Sequence, residues 1–117
     1  MTKNKESTRY FSSQQEDEMA HSLKGIRTAN SGAGKWTKGD VINKDASLLI
    51  ECKTVTSDKN SFSIKKEWIE KNKKEARENR LDNNCIAFNF GPNQPNYFVI
   101  DLKLMRFLVE KLAEENK

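Results

Sequence analysis

Three side chains in the middle of the chain have the types and spacing of a phosphodiester-cleaving site. They are Asp40, Glu51 and Lys53, carried by Gly39-Asp40-Val41-Ile42-Asn43 and Leu49-Ile50-Glu51-Cys52-Lys53. The segment reads as two short apolar strands around a polar turn at Asp45-Ala46. A hairpin turning there sets Lys44 opposite Ser47, Ile42 opposite Leu49 and Asp40 opposite Glu51. Directly opposed residues on antiparallel strands lie roughly 5 Å apart at their Cβ atoms, and like charges there repel. Two facing carboxylates therefore call for a cation. Side chains alternate along a strand, so Leu49, Glu51 and Lys53 share one face while Ile50 and Cys52 take the other. An ammonium thus stands beside the acids. A hard divalent metal on two carboxylates with an adjacent lysine suits hydrolysis of a phosphodiester. The same residues admit a structural role, with Asp40 ending a strand and Glu51 and Lys53 facing solvent on a half-exposed sheet.

The elements that must position these residues follow from pattern. Residues 1–11 are polar and aperiodic, which predicts a flexible N-terminal arm, with residues 12–117 forming a single domain. Ser12 or Ser13 can cap a helix whose first turns carry Glu16, Asp17 and Glu18, and Gly25 can end it. Met19, Ala20 and Leu23 follow at helical spacing. Glu16 lies three, four and seven residues before them, so it points inward towards a buried site, unless it is an ordinary first-turn acid. Residues 28–38 form a loop whose glycines let backbone amides approach a phosphate. It lacks the spacing of a Walker loop, and its Trp36 either stacks on a base or covers the edge of the core. Strands are expected at 40–43 and 48–54, then a helix capped by Ser61 or Ser63 and running to Leu81. Its apolar stripe is narrow (Ile64, Trp68, Ile69, Ala76), so most of it stays wet, with Glu67–Lys71 and Glu70–Lys74 pairs on the surface. Strands at 84–90 and 97–100 flank a proline-containing loop. A last helix over 102–115 carries Met105, Leu108, Val109 and Leu112 on one face, widened by Leu104 and Phe107. That width suits packing on the sheet and on a second subunit. The order is α-β-β-α-β-β-α. This is an α/β fold with a mixed sheet, in which the hairpin is antiparallel and the long helix makes a crossover to a parallel neighbour.

Composition narrows the function classes. With 117 residues, 35% apolar and 32% charged, the chain suits one domain with a modest core and a highly charged surface. No apolar run approaches a membrane span and no signal peptide is visible, which predicts a soluble, cytoplasmic protein without a membrane partner. Cys52 and Cys85 fall in apolar strands, with no CxxC and one histidine, so they read as core residues in a reducing compartment rather than zinc ligands. The net charge of +4 is a weak pointer to nucleic acid, but its placement is stronger. Lys24, Arg27, Lys35, Lys38 and Lys44 precede or enter the hairpin, and seven Lys/Arg against four Glu follow over residues 63–81. Positive charge brackets the acids, as a phosphate-binding surface would.

Asp40 followed by Glu51-Cys52-Lys53, after an apolar strand and before a helix, resembles the PD-(D/E)XK nuclease superfamily. Gly39 stands where that motif nominally has proline. Gln15-Glu16, Gly25, Ser31-Gly32-Ala33, Lys38-Gly39-Asp40-Val41, Glu51-Cys52-Lys53-Thr54 and the helix over 63–76 resemble the small Holliday-junction-resolvase-like nucleases of phages and archaea. The resemblance covers about residues 15–90 and implies a restriction-endonuclease-like core, a central mixed β-sheet flanked by helices. It implies that Asp40 and Glu51 bind Mg²⁺ or Mn²⁺ together with the Cys52 backbone carbonyl, and that Glu16 completes the site directly or through water. Lys53 would orient or help deprotonate the attacking water, and Ser31 would sit near the scissile phosphate. DNA would be held by Arg27, Ser31, Gly32, Lys35, Lys38, Lys65, Lys66 and Lys71. The implied substrate is branched DNA. A four-way junction has two-fold symmetry, so a homodimer is expected, serving recombination or repair in a bacterial, archaeal or phage-infected cell. A restriction-like, nicking or repair nuclease shares the same chemistry, and a non-catalytic DNA-binding module is the alternative from another class.

Overall fold

A computed structural model describes residues 5–28 and 40–117, with side chains from residue 9 onward. The elements are α1 (Lys5–Ser22), β1 (Ile26–Arg27), β2 (Asp40–Asn43), β3 (Leu48–Lys53), α2 (Lys66–Glu78), β4 (Asn83–Phe88), β5 (Tyr97–Val99) and α3 (Leu102–Glu115). The five strands form one mixed sheet in sequence order. β2 and β3 are antiparallel with Asp40 opposite Glu51, Val41 opposite Ile50 and Ile42 opposite Leu49, which is the expected register. A side-chain hydrogen bond braces the turn of this hairpin: the Ala46 N–H donates to Asn43 Oδ1 at 2.9 Å, and Ser47 takes the left-handed conformation. α2 then carries the chain to β4, which lies parallel to β3 as the crossover requires.

Three boundaries differ from the sequence expectation, each for a local reason. α1 begins at Lys5, not at Ser12 or Ser13, and takes in most of the segment expected as an arm. No glycine or proline interrupts residues 5–22, so nothing stops the helix from extending ahead of its acidic turn. β1 is a two-residue edge strand paired with β2, too short to leave a period in the sequence. α2 starts at Lys66, and Lys65 holds the N-cap position with no side-chain cap, so neither Ser61 nor Ser63 serves there. Arg80 in the left-handed region ends that helix, with the Leu81 N–H returning to the Ala76 carbonyl at 2.8 Å.

The alternation of β2, β3 and β4 gives the sheet two different faces. Val41, Ile50, Cys85 and Ala87 point to α1 and form a core with Met19, joined by Ala20, Leu23 and the half-buried Cys52. Ile42 and Leu49 point to α2 and pack with Ala76 and Leu81. Burying a side chain such as Ile50, which has no exposed surface, contributes about 1.5–3 kcal/mol. α1 meets the sheet closely because Gly25 has no side chain: a Cβ there would stand 2.8 Å from the Ile42 carbonyl oxygen. Gly25 is thus needed for this approach, while Lys24 takes the left-handed turn that ends the helix. α3 is capped by Asp101, whose side chain accepts the Leu104 N–H at 2.9 Å, yet it buries none of its residues. Among the described residues no helix is long and apolar enough to cross a membrane.

Candidate active site

Asp40, Glu51 and Lys53 converge because they occupy the α2-facing side of the β2–β3 hairpin. Asp40 is 1% exposed and Glu51 4%. They sit where β3 ends beside its parallel neighbour β4, outside whose carboxyl ends α/β sheets commonly hold ligands. The Lys53 Nζ is 3.5 Å from one Glu51 oxygen and the Lys71 Nζ, from α2, is 4.0 Å from the other. The expected Glu67–Lys71 pair gives way to this tertiary contact. Lys53 also lies over the Trp68 ring, 4.4 Å from its centroid, an attraction of about 0.5–1 kcal/mol or more that fixes where the ammonium points.

A further acid belongs to this constellation. Asn72, Glu75 and Ala76 form the buried stripe of α2, and Glu75 faces Asp40. Burial, a hydrogen bond with the Glu75 carboxyl, and the facing charges of Glu75 and Glu51 push the Asp40 carboxyl up to about 9, against the pull of Lys71. This favours the protonated form of Asp40 at neutral pH. Asn72 anchors the stripe by accepting from Asn84 Nδ2 of β4 at 2.8 Å. Sequence reasoning passed over Glu75, although its spacing from Trp68 and Asn72 and its place beside Ala76 put it on the packed face. Gln15 was also missed as a positioning residue. It donates to the Lys53 carbonyl at 2.8 Å and to Asn96 Oδ1 at 3.0 Å, tying α1 to the end of β3.

The donor set fits Mg²⁺ or Mn²⁺. No N–H group donates to the four buried oxygens of Asp40 and Glu51, and the neighbour that Asp40 meets is the Glu75 carboxyl. Buried carboxylates in that state are costly unless a cation or a proton meets them. The lysine contacts, at 3.5 and 4.0 Å, are ion pairs too long to count as good hydrogen bonds. Mg²⁺ is commonly held by one or two carboxylates and keeps several waters. That matches two carboxylates here, with the Cys52 carbonyl adjacent in the strand. Among the described residues no three Asp, Glu, His or Cys side chains are grouped to hold a metal by themselves.

The remaining expected residues divide. Glu16 is buried as anticipated, at 7% exposed, but α1 packs on the opposite face of the sheet. Its carboxylate pairs with Arg27 at 2.9 Å rather than joining Asp40 and Glu51. Arg27, expected on DNA, also binds Asp17 at 2.7 Å and Ser13 at 3.1 Å, and the Asp17 hydrogen bond leads the raising of its pKa. Lys65 and Lys66 are exposed at the start of α2, on the same side of the sheet as the acids. Ser31, Gly32, Lys35, Trp36 and Lys38 lie outside the described residues. Burial pushes the Cys52 thiol above its usual range and the Cys85 thiol up to about 12, which suits inert core residues. Compared with known proteins, the chain matches no family model, no curated protein and no solved structure, so a functional reading rests on its residues and their geometry.

Proposed function

We propose that this protein is a metal-dependent endonuclease that hydrolyses phosphodiester bonds in DNA, with branched DNA as its substrate class and a PD-(D/E)XK, Holliday-junction-resolvase-like core. The observation that carries this reading is a pair of buried, directly opposed acidic side chains whose oxygens receive no N–H donor, set beside two lysines. Asp40 and Glu51 would hold Mg²⁺ or Mn²⁺, with the Cys52 carbonyl. The bound ion would acidify a water and polarise a phosphoryl oxygen. Lys53, held by Glu51 and Trp68, orients the attacking water and offsets charge on the phosphate. Lys71 presents a second ammonium to the same anion. Lys65 and Lys66 extend the positive surface along α2 towards the neighbouring phosphates. Glu75 orients Asp40. Glu16 and Arg27 fix α1 against the β1 edge. Cutting both strands of a two-fold-symmetric junction requires two such sites, which favours a pair of copies.

The test is cleavage of labelled four-way junction, linear duplex and single-stranded DNA with Mg²⁺ and with EDTA. The reading expects symmetrical nicking of the junction that EDTA abolishes. Cutting of all three substrates keeps the chemistry and discards junction preference. Binding without cleavage in Mg²⁺ or Mn²⁺ overturns the hydrolytic reading in favour of a DNA-binding module.

A further inference from the structure

We propose that α3 is a self-association surface: two copies of the chain pair their α3 helices antiparallel about a two-fold axis. The first observation is exposure. Leu102, Met105, Phe107, Leu108, Val109 and Leu112 are each 41–71% exposed, and no residue of the helix is buried. A single exposed leucine needs no explanation, but a contiguous patch of this size does. The helix is about 21 Å long at 1.5 Å per residue. Its apolar side chains present an area on the order of the ~800 Å² per partner that a specific interface buries.

The second observation selects the partner and the direction. α3 has no acid in its first turn and no base in its last. Lys103 and Arg106 lie in its first half, and Glu110, Glu114 and Glu115 in its second, where Lys111 and Glu114 pair at 3.5 Å. This order opposes the helix's own dipole, which favours acids at the N-terminus and bases at the C-terminus. An antiparallel copy of the same helix reverses the relation. The basic half of each helix then lies beside the acidic half of the other, and the two dipoles run opposite. A parallel pair would set like beside like. The match is self-complementary, as a two-fold interface requires.

Solution mass and cysteine cross-linking test this without reference to cleavage, so the interface and the hydrolytic reading fail separately. At tens of micromolar the wild type is expected to run at about twice its 13.5 kDa mass by light scattering. Leu108→Glu should give the single-copy mass with unchanged circular dichroism, because Leu108 is 41% exposed in the protomer and outside its core. In mixtures under oxidation, Leu102→Cys and Leu112→Cys chains should cross-link to each other, while Leu102→Cys alone should not pair with itself. A monomeric wild type overturns the proposal. So does a dimer that survives Leu108→Glu, which would put the interface elsewhere. Self-pairing of Leu102→Cys overturns the antiparallel arrangement.

Discussion

The hairpin site and α3 invert the usual placement of side chains in opposite senses. At the hairpin, carboxylates are buried; on α3, leucines, a methionine and a phenylalanine stand in water. Both arrangements are unfavourable for an isolated chain, since burying clustered acidic groups and exposing a large apolar patch each work against folding. Their surroundings separate them. The acids are held on three sides: across the strand pair, by α2 through Glu75, and by Lys53 and Lys71. α3 is held at its N-terminal end, by its cap, by the Asp101–Lys73 pair and by Lys103 donating to the Asp82 carbonyl. We read the first region as a site for a small cation and an anionic substrate, and the second as a face for a second copy of the chain. Local breaks with folding rules point to function, and the chemistry of each break names what is missing.

Substitutions in the first region should leave association intact and those in the second should leave metal binding intact. The largest effect belongs to the acids. Asp40→Asn and Glu51→Gln should lower the cleavage rate by on the order of 10³-fold or more, the loss expected when several kcal/mol of metal-dependent stabilisation disappear. Full cleavage by either variant in a single-turnover assay would remove the metal assignment. Lys53→Ala should slow turnover by roughly 10²–10³-fold while Mn²⁺ affinity stays within a few fold. Equal losses in rate and affinity would make Lys53 a structural ion-pair partner instead.

Stability should move the other way. The Asp40 pKa is raised from 3.8 to about 9 in the folded chain, so the folded state keeps a proton that the unfolded state loses. Stability from this group is complete below about pH 4 and falls as pH rises from there towards 9. In EDTA, Asp40→Asn should therefore stabilise the protein at pH 8, by about 1–3 kcal/mol, and flatten its melting temperature between pH 5 and 8. A variant that melts lower than wild type at pH 8 would contradict the burial account. Glu75→Gln should have a smaller effect, a 10–100-fold weakening of Mn²⁺ binding through loss of the orienting carboxyl. Unchanged binding would confine Glu75 to packing. The smallest expected effect is at the DNA surface. Lys65→Ala and Lys66→Ala should each weaken DNA binding modestly and reduce its logarithmic salt slope by about one, and an unchanged slope would take those lysines off the phosphate backbone.

Much of this was legible in the sequence because it depends on alternation. A two-residue period and a polar turn suffice to pair Asp40 with Glu51 and to place Lys53 beside them, and the observed register agrees. The α2 crossover to a parallel β4 followed from helix length between two apolar strands. What could not be read depends on tertiary choice. Lys71 had a credible local partner in Glu67, and only the packing of α2 onto the hairpin sends it to Glu51. Glu16 was placed inward correctly, but its helix face gives no information about which side of the sheet it meets. Arg27 counts as positive charge in the sequence, and its engagement by Glu16 and Asp17 appears only when β1 lies along α1. Glu75 was hidden by composition, one glutamate among many on a highly charged helix. The width of the apolar face of α3 was visible, but that none of its residues is buried was not.

The central claim is that Asp40 and Glu51 together hold a divalent cation. Its most direct test is titration of Mn²⁺ into the wild type, Asp40→Asn and Glu51→Gln, with free Mn²⁺ followed by electron paramagnetic resonance. The account expects saturable binding by the wild type, lost or weakened at least tenfold in both variants while their circular dichroism is unchanged. Equal Mn²⁺ uptake by all three proteins, or none by the wild type, would contradict it.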